Sequence, residues 1–382
     1  MKTEYRLYRR LALVMFFLAI SYFAISQIRV RDEIVFPDIP GYLTLKCDFH
    51  IHTVFSDGNV WPTVRPEEAW REGLDVISIT DHIEYQPHKD DLPTNHNRSY
   101  EIALPKSEEL GLLLIRGAEI TRDMPPGHFN ALFLKNVNPL DVEDWREAII
   151  AAVNQDAFII WNHPGWRQPD EIPVWYDEHT EIFQKGWVKG MEIVNARSYY
   201  PKAHQWCIDK NITMIGTSDI HDPVNLNYNI HKGEHRPITL VFAKTRTKEA
   251  IKEALLNRRT AVFHNNLFIG EEQYLSPVFY GSIKIMNREI TIKENQWKNI
   301  RIHNYSDIDL ELEAGVNENN IVMQKKVTLA AHKTSLLSVQ CKSERLKGTK
   351  NIELPYTVTN FLIAPGKGLP VKLKFQANII RE

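Results

Sequence analysis

The side chains in this chain that can do chemistry are imidazoles and carboxylates, and they recur at the ends of apolar runs. His50 and His52 sit one residue apart after the run Tyr42–Phe49, and Asp57 follows on a Ser56-Asp57-Gly58 turn. In an extended backbone, residues i and i+2 face the same side, so the two imidazoles can reach one point at a strand end. Later come Thr80-Asp81-His82, Gly117 followed by Glu119, then His128, His163-Pro164, and Ser218-Asp219 with His221. Imidazole nitrogen and carboxylate oxygen are donors for Zn, Mn or Fe, and no thiolate accompanies them. Each residue alone has an ordinary explanation: a surface histidine, a loop, or a pairing of Glu119 with Arg116 or Arg122. Their repetition on successive elements points instead to one metal site.

The elements that must position these groups alternate. Strands are expected at 42–49, 75–80, 112–118, 128–134, 157–161, 189–194, 212–217, 238–243 and 260–263. Helices are expected from Pro66 and over 99–110, 142–154, 201–210 and 248–257. This pattern predicts an α/β fold with a largely parallel sheet closed into a barrel, with ligands gathered at the strand C-termini. From Gly270 onward short strand-like runs separated by Asn, Asp and Gly dominate, and no amphipathic helix is evident. A small antiparallel β-sandwich-like domain is expected there. The boundaries read as an N-terminal segment at 1–30, a Pro-containing linker at 31–40, a barrel at 41–268 and a β-rich accessory domain at 276–382.

Composition excludes some classes. The 382 residues carry a formal net charge of −2, so no global basic field favours bulk nucleic-acid binding. Cys47, Cys207 and Cys341 are too scattered for a zinc finger or a disulfide framework. At the N-terminus Lys2, Arg6, Arg9 and Arg10 precede an apolar stretch from Leu11 to about Ile28. About 18 helical residues span roughly 27 Å, just enough to cross a bilayer. A cleaved signal peptide and an uncleaved membrane anchor both fit, and the length of the run favours the anchor. Either places the rest of the chain outside the cytoplasm, periplasmic or facing outward from the membrane.

In this order the motifs resemble the PHP (polymerase and histidinol phosphatase) family of metal-dependent phosphoesterases, over about Leu43 to His264. The resemblance implies a distorted (β/α)7 barrel holding up to three divalent metals. It implies that His50, His52, Glu119 and Asp219 hold the first, that Glu119 bridges to a second held by His128 and His163, and that Asp57, His82 and His221 hold a third. Some members have histidine where this chain has Asp57. Asp81 is read as orienting a ligand or a bound water. The implied chemistry is hydrolysis of a phosphate ester by metal-bound hydroxide, with the cations neutralising the phosphoryl oxygens. Arg122, Arg167 and Arg197 are candidate phosphate clamps, with Arg197 favoured. Trp61, Tyr85 and Trp166 lie near ligand-bearing loops, where a ring could stack. His204 reads as a packing residue, and His88 and His96 as exposed residues on a polar loop. The substrate class expected is a small phosphodiester or nucleotide. The alternatives are a phosphomonoester of the histidinol-phosphatase type, hydrolysis of a C–N bond, or an envelope binding protein with structural metals.

Overall fold

The structure, a computed structural model, describes residues 30–92, 95–316, 321–343 and 346–381, together with Met15. Apart from Met15 and Val30, the expected N-terminal helix, signal peptide or anchor at 1–30 lies outside the described residues. Among these no helix is long and apolar enough to cross a membrane.

The chain alternates β1 (Leu43–Asp48), α1 (Val64–Arg71), β2 (Val76–Ile79), α2 (Arg98–Glu109), β3 (Leu113–Ile120), β4 (Phe129–Leu132), α3 (Trp145–Val153) and β5 (Phe158–Trp161). It continues with α4 (Asp177–Gln184), β6 (Val188–Asn195), the short β7 (Ser198–Tyr199), α5 (Pro201–Lys210), β8 (Thr213–Thr217), β9 (Ile238–Ala243), α6 (Lys248–Leu256) and β10 (Thr260–His264). Every residue of β2, β4 and β5 is buried, as expected for strands covered on both faces. Helix starts have local causes. The Asp144 side chain accepts from Arg146 N at 2.7 Å ahead of α3, and Thr247 Oγ1 from Ala250 N at 3.2 Å ahead of α6. Pro201 opens α5 and Asn211, at φ +55°, ends it.

Strand order around the barrel is β9–β1–β2–β3–β4–β5–β6–β8. The sheet is less parallel than the alternation suggested, because β4 runs antiparallel to both neighbours, β9 runs antiparallel to β1, and β10 runs antiparallel to β9. Side chains help to join β8 to β9 and β10. Thr239 Oγ1 donates to Gly216 O (2.7 Å) and accepts from Gly216 N (2.9 Å), while Thr260 Oγ1 donates to Met214 O (2.8 Å). Gly216 makes the approach feasible, since a Cβ there would lie 2.3 Å from Val262 Cγ1.

The C-terminal part is a two-sheet β domain, as the sequence suggested. One sheet is formed by β12 (Ile283–Ile285), β14 (Trp297–Asn304), β16 (Ile321–Met323) and β18 (Thr334–Cys341). The other contains β13 (Glu289–Lys293), β15 (Leu310–Ala314), β17 (Lys326–Leu329) and the long hairpin β19 (Gly348–Ala364) and β20 (Lys367–Ile380). One feature departs from expectation. Residues Glu272–Ser282 form a helix, α7, whose Leu275, Val278 and Phe279 are buried. The barrel and the β domain share a strand. Strand β11 (Leu267–Gly270) pairs with barrel strand β10 on one side and, in parallel, with β19 on the other. Phe268 stacks on Phe361 at 4.9 Å, and Phe36 packs edge-on against both Phe263 (5.0 Å) and Phe268 (5.4 Å).

The close approach at Gly216 can be tested. Gly216→Ala is expected to destabilise the protein by about 1–3 kcal/mol through overpacking against Val262. Its cost in a Val262→Ala background should shrink, as read by urea unfolding of the four proteins of the cycle.

Candidate metal centre

Beyond the strand ends the chain keeps pairing across the barrel mouth. Asp219 N donates to His50 O (3.0 Å), His52 N to Ile220 O (3.1 Å), Thr80 N to Ile51 O (2.8 Å), Glu119 N to Asp81 O (3.1 Å) and Asn162 N to His128 O (3.0 Å). Because β4 runs backwards, His128 at its start reaches the same rim as residues at the ends of β1, β2, β3, β5 and β8. Asp219 (φ +51°) and His163 (φ +25°) adopt left-handed backbone, a strain common at functional sites. Gly58 closes the turn after Asp57, where a Cβ would lie 2.6 Å from Thr53 N.

All nine residues singled out from the sequence converge here. Glu119 is fully buried, and its carboxylate lies near His50 Nε2 (3.4 Å), His52 Nε2 (3.5 Å), His82 Nδ1 (2.7 Å), His128 Nδ1 (3.1 Å) and His163 Nε2 (3.4 Å). Asp219 Oδ1 approaches His50 Nε2 (3.2 Å) and His52 Nε2 (3.1 Å). Asp57 Oδ1 approaches His221 Nε2 (3.1 Å) and His82 Nε2 (3.5 Å). The donor atoms fall into groups that partly redraw the expected sets. His50, His52 and Glu119 converge, as do His50, His163 and Asp219; His82 joins Glu119 and His128; and His52 joins Asp57, His82 and His221.

The donors fit divalent cations. His50 Nε2, His52 Nε2, Asp57 Oδ1, Glu119 Oε2 and His163 Nδ1 are buried, and none has a hydrogen-bond partner. Several lie within ion-pair distance of one another but lack hydrogen-bond alignment. Buried atoms left this way are costly unless a cation satisfies them. The electrostatics agree. Burial opposes charge on Glu119, yet His82, His50 and His128 hold its carboxyl well below the usual range. Burial likewise opposes ionisation of Asp219, but His50, His52 and His163 hold its carboxyl well below the usual range. Burial, then the neighbouring His82 and His221, pushes His52 down to about 3, which favours its neutral, ligating form. Burial opposes charge on His50, but Asp219, Glu119 and Glu192 raise it well above the ordinary value.

The supporting residues were only partly foreseen. Glu192, buried in the middle of β6, was not among the residues singled out. Its Oε1 accepts from His50 Nδ1 (2.8 Å) and Thr217 Oγ1 (2.6 Å), and its Oε2 from His163 N (2.6 Å) and Asn195 Nδ2 (2.9 Å). A proton held on His50 Nδ1 leaves Nε2 as the free lone pair facing Glu119 and Asp219. The available signal was a lone carboxylate inside the apolar stretch 190–194. Asn162 Nδ2 donates to Glu119 Oε1 at 2.8 Å. Asp81 accepts from Thr53 N (2.6 Å) and Ser56 Oγ (3.0 Å), so it orients the loop carrying His52 and Asp57. Buried Arg65 donates to the carbonyls of His52 (2.8 Å), Ile220 (3.0 Å) and His221 (2.6 Å). Buried Arg236 pairs with Glu72 and with Asp48, and Asp48 in turn accepts from Ser218 N at 3.1 Å.

A cavity of about 920 Å³ opens over one side of the cluster, its wall including Asp57, His82, His128, Tyr85, Trp166, Arg122 and Arg167. Arg197, the favoured clamp, is not among the residues lining this cavity. Its guanidinium donates to Asn227 O (2.6 Å) and faces Glu234 (3.5 Å), because Ala196 at φ +50° turns the chain away. Arg122 is spent on Glu84 and on the carbonyls of Thr121, Val142 and Glu143. Arg167 is 65% exposed and lies over the Trp166 ring at 4.3 Å. Trp166 itself packs on His128 (4.7 Å) and His163 (5.4 Å). Trp61 is exposed beside Phe55, not on the cavity wall. His204 is buried and bonded to Tyr199 Oη at 2.8 Å, and burial pushes it down to about 4. His88 is exposed as expected, but the His96 side chain is only 6% exposed, held between Gln86 and Asp141.

Fold and site together define a metal-dependent hydrolase with a barrel and an appended β domain. The chain matches, at 48% identity and TM-score 0.85 over 90% of its length and 99% of the other, a two-domain protein from Bacteroides vulgatus containing a predicted PHP-like metal-dependent phosphoesterase. It belongs to this family of PHP-like metal-dependent phosphoesterases. A family model described as an Ig-like domain matches residues 283–374. A candidate metal-dependent phosphoesterase from Bifidobacterium adolescentis aligns at 18% identity over 46% of this chain and 87% of its own, TM-score 0.37. A histidinol phosphate phosphatase from Lactococcus lactis, complexed with zinc, L-histidinol and phosphate, aligns at 17% identity over 55% and 93%, TM-score 0.27. No curated protein sequence matches the chain.

Glu192→Gln should keep the fold but loosen the orientation of His50, lowering metal affinity by about 10- to 100-fold. Metal titration followed by activity measurement checks this, and activity is expected to recover at saturating metal.

Proposed function

We propose that this enzyme hydrolyses a small phosphodiester, with up to three divalent cations held by the nine donors, on the outer side of a membrane. The carrying observation is the buried, unpartnered donor cluster beneath an open cavity whose wall presents Arg167 on Trp166. His50, His52, Glu119 and Asp219 would hold one cation, Glu119 with His128 and His163 a second, and Asp57, His82 and His221 a third. Bound cations supply a nucleophile ionised near neutral pH and neutralise phosphoryl charge.

The chain's own residues do the rest. Glu192 fixes the tautomer of His50, and Asp81, through Thr53 and Ser56, fixes the loop carrying Asp57. Arg167 is the exposed guanidinium at the cavity, with reach to a non-bridging phosphate oxygen. Trp166 covers His128 and His163 and limits water at that side. The cavity, near the upper end of the range for small-molecule sites, has room for both alcohol groups of a diester. The extracytoplasmic setting rests on the basic flank and apolar run of residues 2–28.

Elemental analysis of the purified protein, followed by bis(p-nitrophenyl) phosphate and p-nitrophenyl phosphate, tests the reading. Faster metal-dependent turnover of the diester is expected. Preference for the monoester would replace diester by monoester, and inactivity on both with Mn, Zn and Fe would overturn the reading. Asp219→Ala should lose metal and activity together. Arg167→Ala should keep its metal and lose about 10- to 100-fold in kcat/KM, the worth of a charged hydrogen bond, while Arg197→Ala changes little.

A further inference from the structure

The outer wall of the active-site cavity is acidic and aromatic, an unusual lining for a phosphate-binding site. Apart from the metal-site donors it carries Glu84, Asp123, Asp141 and Glu143 against Arg122 and Arg167. The Arg122 guanidinium is already engaged by Glu84 and three carbonyls. Arg167 faces Asp123 at 3.5 Å, so turning to a phosphate releases that carboxylate. Glu143 is exposed and, among the described residues, its carboxylate has no cationic partner. Two rings share the wall. Tyr85 is 53% exposed beside His82, and Trp166 covers His128.

Such a wall repels a second phosphate group, which disfavours polyanionic nucleic acid. Carboxylates and aromatic faces together attract an alkylammonium group, the carboxylates by charge and the rings through their quadrupoles. Building on the phosphodiesterase reading, we infer that the substrate is a phosphodiester in which one alcohol carries a cationic nitrogen. In the reaction a water oxygen adds to phosphorus, the ester P–O bond to the other alcohol breaks, and that alkoxide leaves with a proton. The products are an alcohol and a phosphomonoester that keeps the ammonium group.

The full-length, metal-loaded protein can be assayed on p-nitrophenyl phosphocholine and on p-nitrophenyl neohexyl phosphate, in which carbon replaces the quaternary nitrogen. The choline ester should be preferred in kcat/KM by on the order of tenfold, and the preference should decline with added salt. Tyr85→Leu and Glu143→Gln should each move the ratio of the two esters towards one. Equal turnover, or preference for the neohexyl ester, would overturn the head-group inference while leaving the phosphodiesterase reading intact. Turnover of neither ester, with hydrolysis of p-nitrophenyl phosphate, would overturn both.

Discussion

The rest of the structure depends on the desolvated carboxylate of Glu119. It has no exposure, and His50, His52, His82, His128 and His163 all crowd it within 3.5 Å. An ionised carboxylate removed from water is costly unless positive charge stands against it. Protons on the surrounding imidazoles can supply part of that charge, and this is why burial fails to discharge His50 and His82. The geometry suits cations better than protons, because key lone pairs converge without hydrogen-bond alignment. Stability and chemistry therefore share one requirement at this rim.

Holding so many donors together requires a framework beneath and around them. The backbone supplies part of it, with the segments after β1, β2 and β8 and the last residues of β3 hydrogen-bonded to one another at the barrel's end. Buried arginines supply another part. Arg65 ties the carbonyls of His52 to those of Ile220 and His221, and Arg236 neutralises Asp48 and Glu72 beneath the same segments. Removing one partner from such a buried pair costs about 3–5 kcal/mol, because a bare charge remains. These ties also explain what could be read from the chain. A metal donor at a strand end is legible, since residue type and strand periodicity place it. Arg65 acts through partners that only the fold brings near, so nothing local distinguishes it from a surface charge, whereas Glu192 shows in the sequence only as a lone carboxylate in an apolar stretch, with no hint of its partners.

The same division runs through the fold. The alternating strands and helices of the barrel follow from apolar runs and caps, and most were legible to within a few residues. The helix α7 was not, because Pro277 and Gly281 interrupt it and its apolar residues pack on a surface that exists only after the β domain folds. The hairpin β19–β20 reads as short separate runs, since Pro355 and Pro370 sit within strands that turn out to be long. The antiparallel course of β4 also left no local signal, and it is what brings His128 to the ligand rim. Arg197 illustrates the limit at the site: a guanidinium just past a strand end has the right address, but the backbone turn at Ala196 decides where it points.

The domain junction shows why a nearly neutral chain is not electrostatically featureless. Residues 276–382 hold 16 Lys and Arg against 10 Asp and Glu, whereas the remainder holds 30 against 38. The net charge of −2 thus averages a basic β domain and an acidic remainder that contains the barrel. Strand β11 pairs with both β10 and β19, and Phe36 and Phe268 pack against the same seam, so the two halves meet through a shared sheet and core. An acidic barrel favours cations near its mouth, where focusing of the field raises their local concentration. It also raises the cost of admitting an anionic ester. In the proposed reaction the donor cluster, once it holds cations, and Arg167 would offset that cost at the phosphorus centre, while the carboxylates farther out would still bear on the rest of the substrate. Metal affinity and substrate selection would then arise from one charge distribution at different distances from Glu119.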